Sequence, residues 1–173
     1  MNIEQIKQKV LKAIDRLYRE EKFLFEENLC ERCINHRFAI CLEKQNFGED
    51  YFIDCEYNKS HIGENSVIKK VSNLKGNYID IVITKRNKDY TDNLICFETK
   101  KWNNKNKADK NNKDRKNLKI LTNIRFEYKC GFYIIFGETK KDILIEVYEF
   151  GMLKEVIKFN DSQCQYVFLC EAS

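Results

Sequence analysis

Residues 78–101 read YIDIVITKRNKDYTDNLICFETKK. Two apolar, β-branched runs, 78–84 and 93–101, flank a polar stretch, the pattern of two strands joined by a turn. Side chains alternate between the faces of a strand. Glu98 and Lys100 therefore share one face, while Phe97 belongs to the other. Folding the runs back about residue 89 sets Asp80 opposite Glu98, Val82 opposite Cys96 and Thr84 opposite Leu94. Directly opposed residues have Cβ atoms about 4.5–5.5 Å apart. Two carboxylates at that spacing repel each other unless a cation lies between them. Mg²⁺ (or Mn²⁺) suits the position, because hard divalent cations take carboxylate oxygens and keep several waters. Water bound to such a cation is a stronger acid and yields a nucleophile near neutral pH. Lys100 reaches the same space, where an ammonium can stabilise negative charge on a phosphate.

Upstream of this hairpin, Ile3, Ile6, Val10, Leu11, Ile14, Leu17 and Tyr18 recur at intervals of three and four, which predicts an amphipathic helix over 3–21. A second helix is expected over 27–45, with Gly48 supplying a left-handed residue after its end. Its apolar face takes in Ile34, Phe38 and Leu42, and Glu31 shares that face, so it looks inward. A strand is expected at 51–57, then a polar loop with a short strand at 67–71. After the hairpin come a helix over 113–128 and strands at 132–136, 143–150, 153–159 and 165–170. This order describes an α/β or α+β arrangement with a mixed sheet and helices on its faces.

The chain has 173 residues, 43% of them hydrophobic, enough for one domain with a real core. Aromatic residues at 13% exclude a disordered chain. No apolar run is long enough for a membrane-spanning helix, and the start, Met1-Asn2-Ile3-Glu4, lacks the pattern of a secretion signal. No membrane association is expected, and the cytoplasm is the expected location. The net charge is +4, but residues 100–119 hold nine basic residues against Asp109 and Asp114, a net +7 that leaves −3 for the remainder. A concentrated positive segment is the footprint of contact with polyanions. Lys101, Lys105, Lys107, Lys110, Lys113, Arg115, Lys116 and Lys119 are its candidate nucleic-acid contacts, and Trp102 is placed to stack on a base or to pack under the sheet.

The hairpin resembles the motif of the PD-(D/E)XK nuclease superfamily, the fold shared by many restriction endonucleases. The resemblance lies in Asp80 within the first strand, followed by Glu98-Thr99-Lys100 in the second, with Ile79 where the proline that names the motif would stand. It implies a single restriction-endonuclease-like α/β domain over 1–173, its central mixed sheet flanked by helices. Helices would fill 1–47, the catalytic core 48–150 and terminal strands 151–173. It implies a Mg²⁺-dependent endonuclease in which Asp80, Glu98 and Lys100 are catalytic, Asp80 and Glu98 hold metal, and Glu31 adds a further acid and ligand. By the same analogy the substrate is DNA rather than RNA, the setting is restriction, phage defence or mobile-element biology, and a homodimer or a protein partner is allowed. The alternative is a catalytically silent relative that binds nucleic acid or a protein, such as a counter-defence protein.

Other groups compete for a role. Asp54 and Glu56 share a strand face and offer an additional acid. His36 and His61 carry no expectation of chemistry. Eight cysteines stand at 30, 33, 41, 55, 96, 130, 164 and 170, with one CxxC and no second at zinc-finger spacing. Cys30, Cys33 and Cys41 sit among Leu29, Ile34, Phe38 and Leu42 and are expected to act as small apolar core residues.

Overall fold

The computed structural model describes residues 1–57, 79–86, 92–104, 113–123 and 128–170. The loop with the strand expected at 67–71, His61, the turn about residue 89, and Lys105, Lys107 and Lys110 lie outside these residues.

The first helix, α1 (Ile3–Glu20), starts with a reciprocal cap. The Gln5 N–H donates to Asn2 Oδ1 at 2.8 Å, and the Gln5 side chain accepts the Asn2 N–H at 3.0 Å. Its buried stripe, Ile6, Val10, Leu11, Ala13, Ile14 and Leu17, follows the expected spacing. The helix expected over 27–45 is instead shorter and has a separate turn before it: α2 (Lys22–Glu26) and α3 (Glu31–Glu43). Asn28, with φ of 54°, is left-handed and breaks the path between them. Beyond α3 Gly48 does take a positive φ (123°), as expected, and Asn46 before it is left-handed as well (φ 51°).

The strands are β1 (Phe52–Tyr57), β2 (Ile79–Thr84), β3 (Asn93–Lys101), β4 (Cys130–Phe136), β5 (Leu144–Glu149), β6 (Met152–Asn160) and β7 (Gln165–Cys170). They form one seven-stranded sheet in chain order. Every neighbouring pair is antiparallel except β3 and β4, which run parallel. A parallel pair needs a crossover, and this one contains α4 (Lys113–Leu121). The chain is thus α/β with a mixed sheet covered by helices on both faces. Among the described residues no helix is long and apolar enough to cross a membrane.

The two sheet faces have separate cores. On one, α1 and α3 cover Ile81, Ile83, Ile95, Phe97, Phe132 and Ile134. Phe38 meets Phe97 and Phe136 edge-on, at ring-centroid distances of 5.7 and 5.4 Å. On the other, Leu118 and Leu121 of α4 pack with Val82, Cys96, Tyr133, Ile135 and Tyr148. Close approach of α4 depends on Gly131, where an added Cβ would come within 3.0 Å of both Leu118 Cδ2 and Thr122 Cγ2. The helix expected over 113–128 stops at Leu121, where the Thr122 hydroxyl donates back to the Leu118 carbonyl at 2.8 Å.

Within the hairpin, Val82 pairs with Cys96 as the alternation predicts. Thr84 meets Asn93 rather than Leu94, because a bulge between Ile83 and Thr84 shifts the register. The described β2–β3 pairs begin at Ile81↔Phe97. β1 nonetheless stays with β2 to Tyr57↔Ile79, and β4 stays with β3 to Lys101↔Phe136. The two central strands therefore part where Asp80 comes level with Glu98.

Candidate active site

The parting of β2 and β3 leaves the Thr99 N–H without a ladder partner, and a side chain takes it. Asp80 Oδ2 accepts that N–H at 2.7 Å and lies 3.0 Å from Thr99 Oγ1. The same hydroxyl lies 2.7 Å from Asn35 Oδ1 on α3, so its single proton serves one of the two acceptors. Asp80 is thereby fixed at the mouth of the split.

Glu98 is buried, with 4% of its surface exposed. Asn117 Nδ2 of α4 donates to its Oε1 at 3.2 Å. Burial, reinforced by the charges of Asp80 and Asp114, holds Glu98 well above its ordinary value of 4.5. Burial also raises Asp80 above 3.8, against the opposing pull of the Thr99 N–H and the Lys100 charge. Two desolvated carboxylates thus disfavour each other's ionisation.

Lys100 is the counter-charge. Its Nζ lies 2.9 Å from Asp114 Oδ2 and 3.8 Å from Glu31 Oε1, and donates to the Thr99 carbonyl at 2.9 Å. Burial would lower its pKa, but Asp114, Glu31 and Asp80 together outweigh that and raise it, so the ammonium form is secured. Glu31 is placed at the start of α3, and its Oε2 accepts the Lys101 N–H at 3.1 Å. The structure therefore brings Glu31, Asp80, Glu98 and Lys100 together and adds Asp114, Asn117 and Asn35.

The other candidates lie elsewhere. Asp54 is paired with Arg86, whose Nε donates at 2.9 Å, and Glu56 with Arg32 at 2.8 Å. Their charges are committed to arginines, not to the split. Glu56 also has a left-handed φ of 50° and so departs from the regular strand alternation that grouped it with Asp54. Lys101 points to the opposite sheet face, where its buried ammonium donates to the carbonyls of Asn28 (2.5 Å) and Leu29 (2.6 Å). It closes the turn between α2 and α3 and does not face a ligand. Trp102 packs beneath the sheet, its ring 6.3 Å from that of Phe25.

Arg115 likewise turns inward. Its Nε and Nη2 grip Glu146 at 2.7–3.0 Å, and its guanidinium lies 4.5 Å from the centre of the Tyr133 ring. The Tyr148 hydroxyl donates to Glu146 Oε2 at 2.6 Å. This network fastens α4 to β4 and β5 next to the split. Lys113, Lys116 and Lys119 are exposed on α4. Cys41 is buried as expected, and Cys96 and Cys130 are buried too, but Cys30 and Cys33 are exposed, which corrects their expected place in the core. Cys30 stands at the cap of α3, and Cys33 lies on the side of α3 away from its buried residues.

A divalent cation at the split would draw on the carboxylates of Glu31, Asp80 and Glu98. Glu31 Oε2 is occupied by the Lys101 N–H. Asp80 Oδ1 and Glu98 Oε2 receive no hydrogen bond from the described residues. Among the described residues no three His, Cys, Asp or Glu side chains converge as a ready metal cage. Two carboxylates fit a cation that retains most of its water, as Mg²⁺ does.

Comparison with protein-family models, curated proteins and solved structures finds no match to this chain.

Proposed function

We propose that this chain is a Mg²⁺-dependent nuclease with a restriction-endonuclease-like fold, hydrolysing phosphodiester bonds, with DNA as the preferred substrate. The observation that carries the reading is the pair Asp80 and Glu98: a half-buried and a buried acid at a strand split, each with one oxygen that takes no hydrogen bond from the described residues, beside a lysine held as a cation. These two acids would hold Mg²⁺ or Mn²⁺, which when bound supplies Lewis acidity and an acidified water.

The protein's own groups then divide the remaining work. Asn117 orients Glu98 through Oε1 and leaves Oε2 for the ligand side. Thr99 fixes Asp80. Lys100 offers positive charge to the phosphate as negative charge builds in the transition state. Asp114 and Glu31 hold that ammonium in place and keep it protonated. Lys116 and Lys119, exposed on the helix that supplies Asp114, meet the phosphate backbone.

A second reading has its own support. It is a catalytically silent nucleic-acid or protein binder, favoured by the exposed Lys113, Lys116 and Lys119 on α4. One experiment separates the two. Purified protein is incubated with plasmid, linear DNA and RNA in Mg²⁺, Mn²⁺ or EDTA, beside Asp80→Ala and Lys100→Ala. Metal-dependent cleavage that disappears in both variants supports the nuclease. Cleavage that survives in both removes the site, and salt-sensitive binding without cleavage supports the silent binder.

A further inference from the structure

The first turn of α3 carries a pair of groups that the proposed hydrolysis does not use. Cys30 is the residue that caps α3, and Cys33 stands one turn on. The Cys33 N–H donates to the Cys30 carbonyl at 3.0 Å, which closes the turn and sets the two side chains on the same side. Their Sγ atoms are 3.2 Å apart and both residues are exposed.

Packing gives no reason for either residue, since neither contributes to a core as Cys41, Cys96 and Cys130 do. Among the described residues no third His, Cys, Asp or Glu joins the pair. What remains is the chemistry of two neighbouring thiols. A disulfide needs sulfurs about 2.05 Å apart, so closing the present gap brings them together by about 1 Å.

We propose that Cys30 and Cys33 form a redox-active dithiol that is oxidised by low-molecular-weight disulfides. One cysteine thiolate attacks the S–S bond of the small disulfide. That bond breaks, one small thiolate leaves, and a mixed disulfide forms on the protein. The second cysteine thiolate attacks the protein-side sulfur of the mixed disulfide and expels the second small thiolate, forming the Cys30–Cys33 bond. The two protein thiol protons end on the two departing thiolates. The small disulfide is reduced by two electrons and the dithiol is oxidised by the same two. This chemistry is independent of the hydrolytic reading and stands or falls without it.

The test uses the full chain in glutathione buffers of increasing oxidised fraction, quenched by alkylation and read by intact-mass and peptide mapping. The expected product is a single Cys30–Cys33 disulfide, reversed by a dithiol reductant, while Cys55 and Cys164, exposed and with no thiol contact among the described residues, remain reduced or carry only glutathione adducts. Cys33→Ser and Cys30→Ser should each trap glutathione on the remaining sulfur, at about tenfold the level of mixed disulfide seen in the unaltered protein. Both side chains are exposed, so the variants should keep the melting temperature of the parent. The proposal is overturned if Cys30 and Cys33 are alkylated to the same extent as Cys55 and Cys164 throughout the titration. It is also overturned if the unaltered protein accumulates an unresolved glutathione adduct as the serine variants do.

Discussion

Lys100 Nζ of β3 lies 2.9 Å from Asp114 Oδ2 of α4, so the lysine at the strand split is held by the helix that crosses over to β4. Lys100→Ala should lower metal-dependent cleavage by about 10²-fold or more, the scale of losing one preorganised charge in a transition state. Asp114→Asn keeps the shape and removes the anchor. It should cost about tenfold in kcat and lower the pH at which activity falls off on the alkaline side, as Lys100 loses a partner that raises its pKa. Steady-state rates across a pH series check both. An unchanged alkaline limb in Asp114→Asn would show that the ion pair is only architectural.

Without a divalent cation, Glu98 is a burden on the fold. Its folded pKa lies above the ordinary 4.5. Between those values the folded state binds more protons than the unfolded chain, so stability falls as pH rises through that window. Asp80 shifts in the same sense. In EDTA, Glu98→Gln should therefore gain in melting temperature over the parent as pH rises above about 4.5, and saturating Mg²⁺ should shrink that gain. A difference that does not vary with pH would contradict the assignment.

The Arg115–Glu146 pair is structural. Glu146→Ala leaves a mostly buried guanidinium beside Tyr133 without its carboxylate. Loss of about 3–5 kcal/mol is expected for breaking such a pair. Denaturant unfolding measures it. Arg115→Met combined with Glu146→Leu should recover most of the loss, as apolar replacement of a buried pair often does.

The lysines near the site should separate by salt dependence. Lys116→Ala and Lys119→Ala should each reduce the slope of log affinity for duplex DNA against log salt by about 1. Lys101→Met should leave that slope alone and lower the melting temperature, since its ammonium serves the Asn28 and Leu29 carbonyls. Binding titrations at several salt concentrations distinguish the two classes.

Much of the hairpin is legible because a strand has a period of two. That period places Glu98 and Lys100 on one face, and folding the runs about residue 89 pairs Val82 with Cys96. Glu31 is legible from helical spacing with Ile34, Phe38 and Leu42. What period cannot show is docking across segments. Asp114 and Asn117 lie three residues apart and so share a face of α4, but which strand they meet depends on the crossover. In the sequence Asp114 is only a charge opposing its basic neighbours. For the same reason the basic segment looks more available than it is, because Lys100, Lys101 and Arg115 find internal partners. Cys30 and Cys33 look like core because of their apolar neighbours in sequence, but Cys30 only caps α3 and Cys33 faces away from its buried residues Ile34, Phe38 and Leu42.

Strand order that equals chain order also has a kinetic meaning. β1–β3 and β4–β7 are two meanders, each able to zip through pairings between consecutive strands, and the parallel β3–β4 joint is the seam between them. Asp80, Glu98 and Lys100 belong to the first half, whereas Asp114 and Asn117 arrive with the connector. Closing a parallel crossover is slower than closing hairpins. The site should therefore be the last part of the molecule to mature: in refolding, strand-rich circular dichroism should return before cleavage activity does.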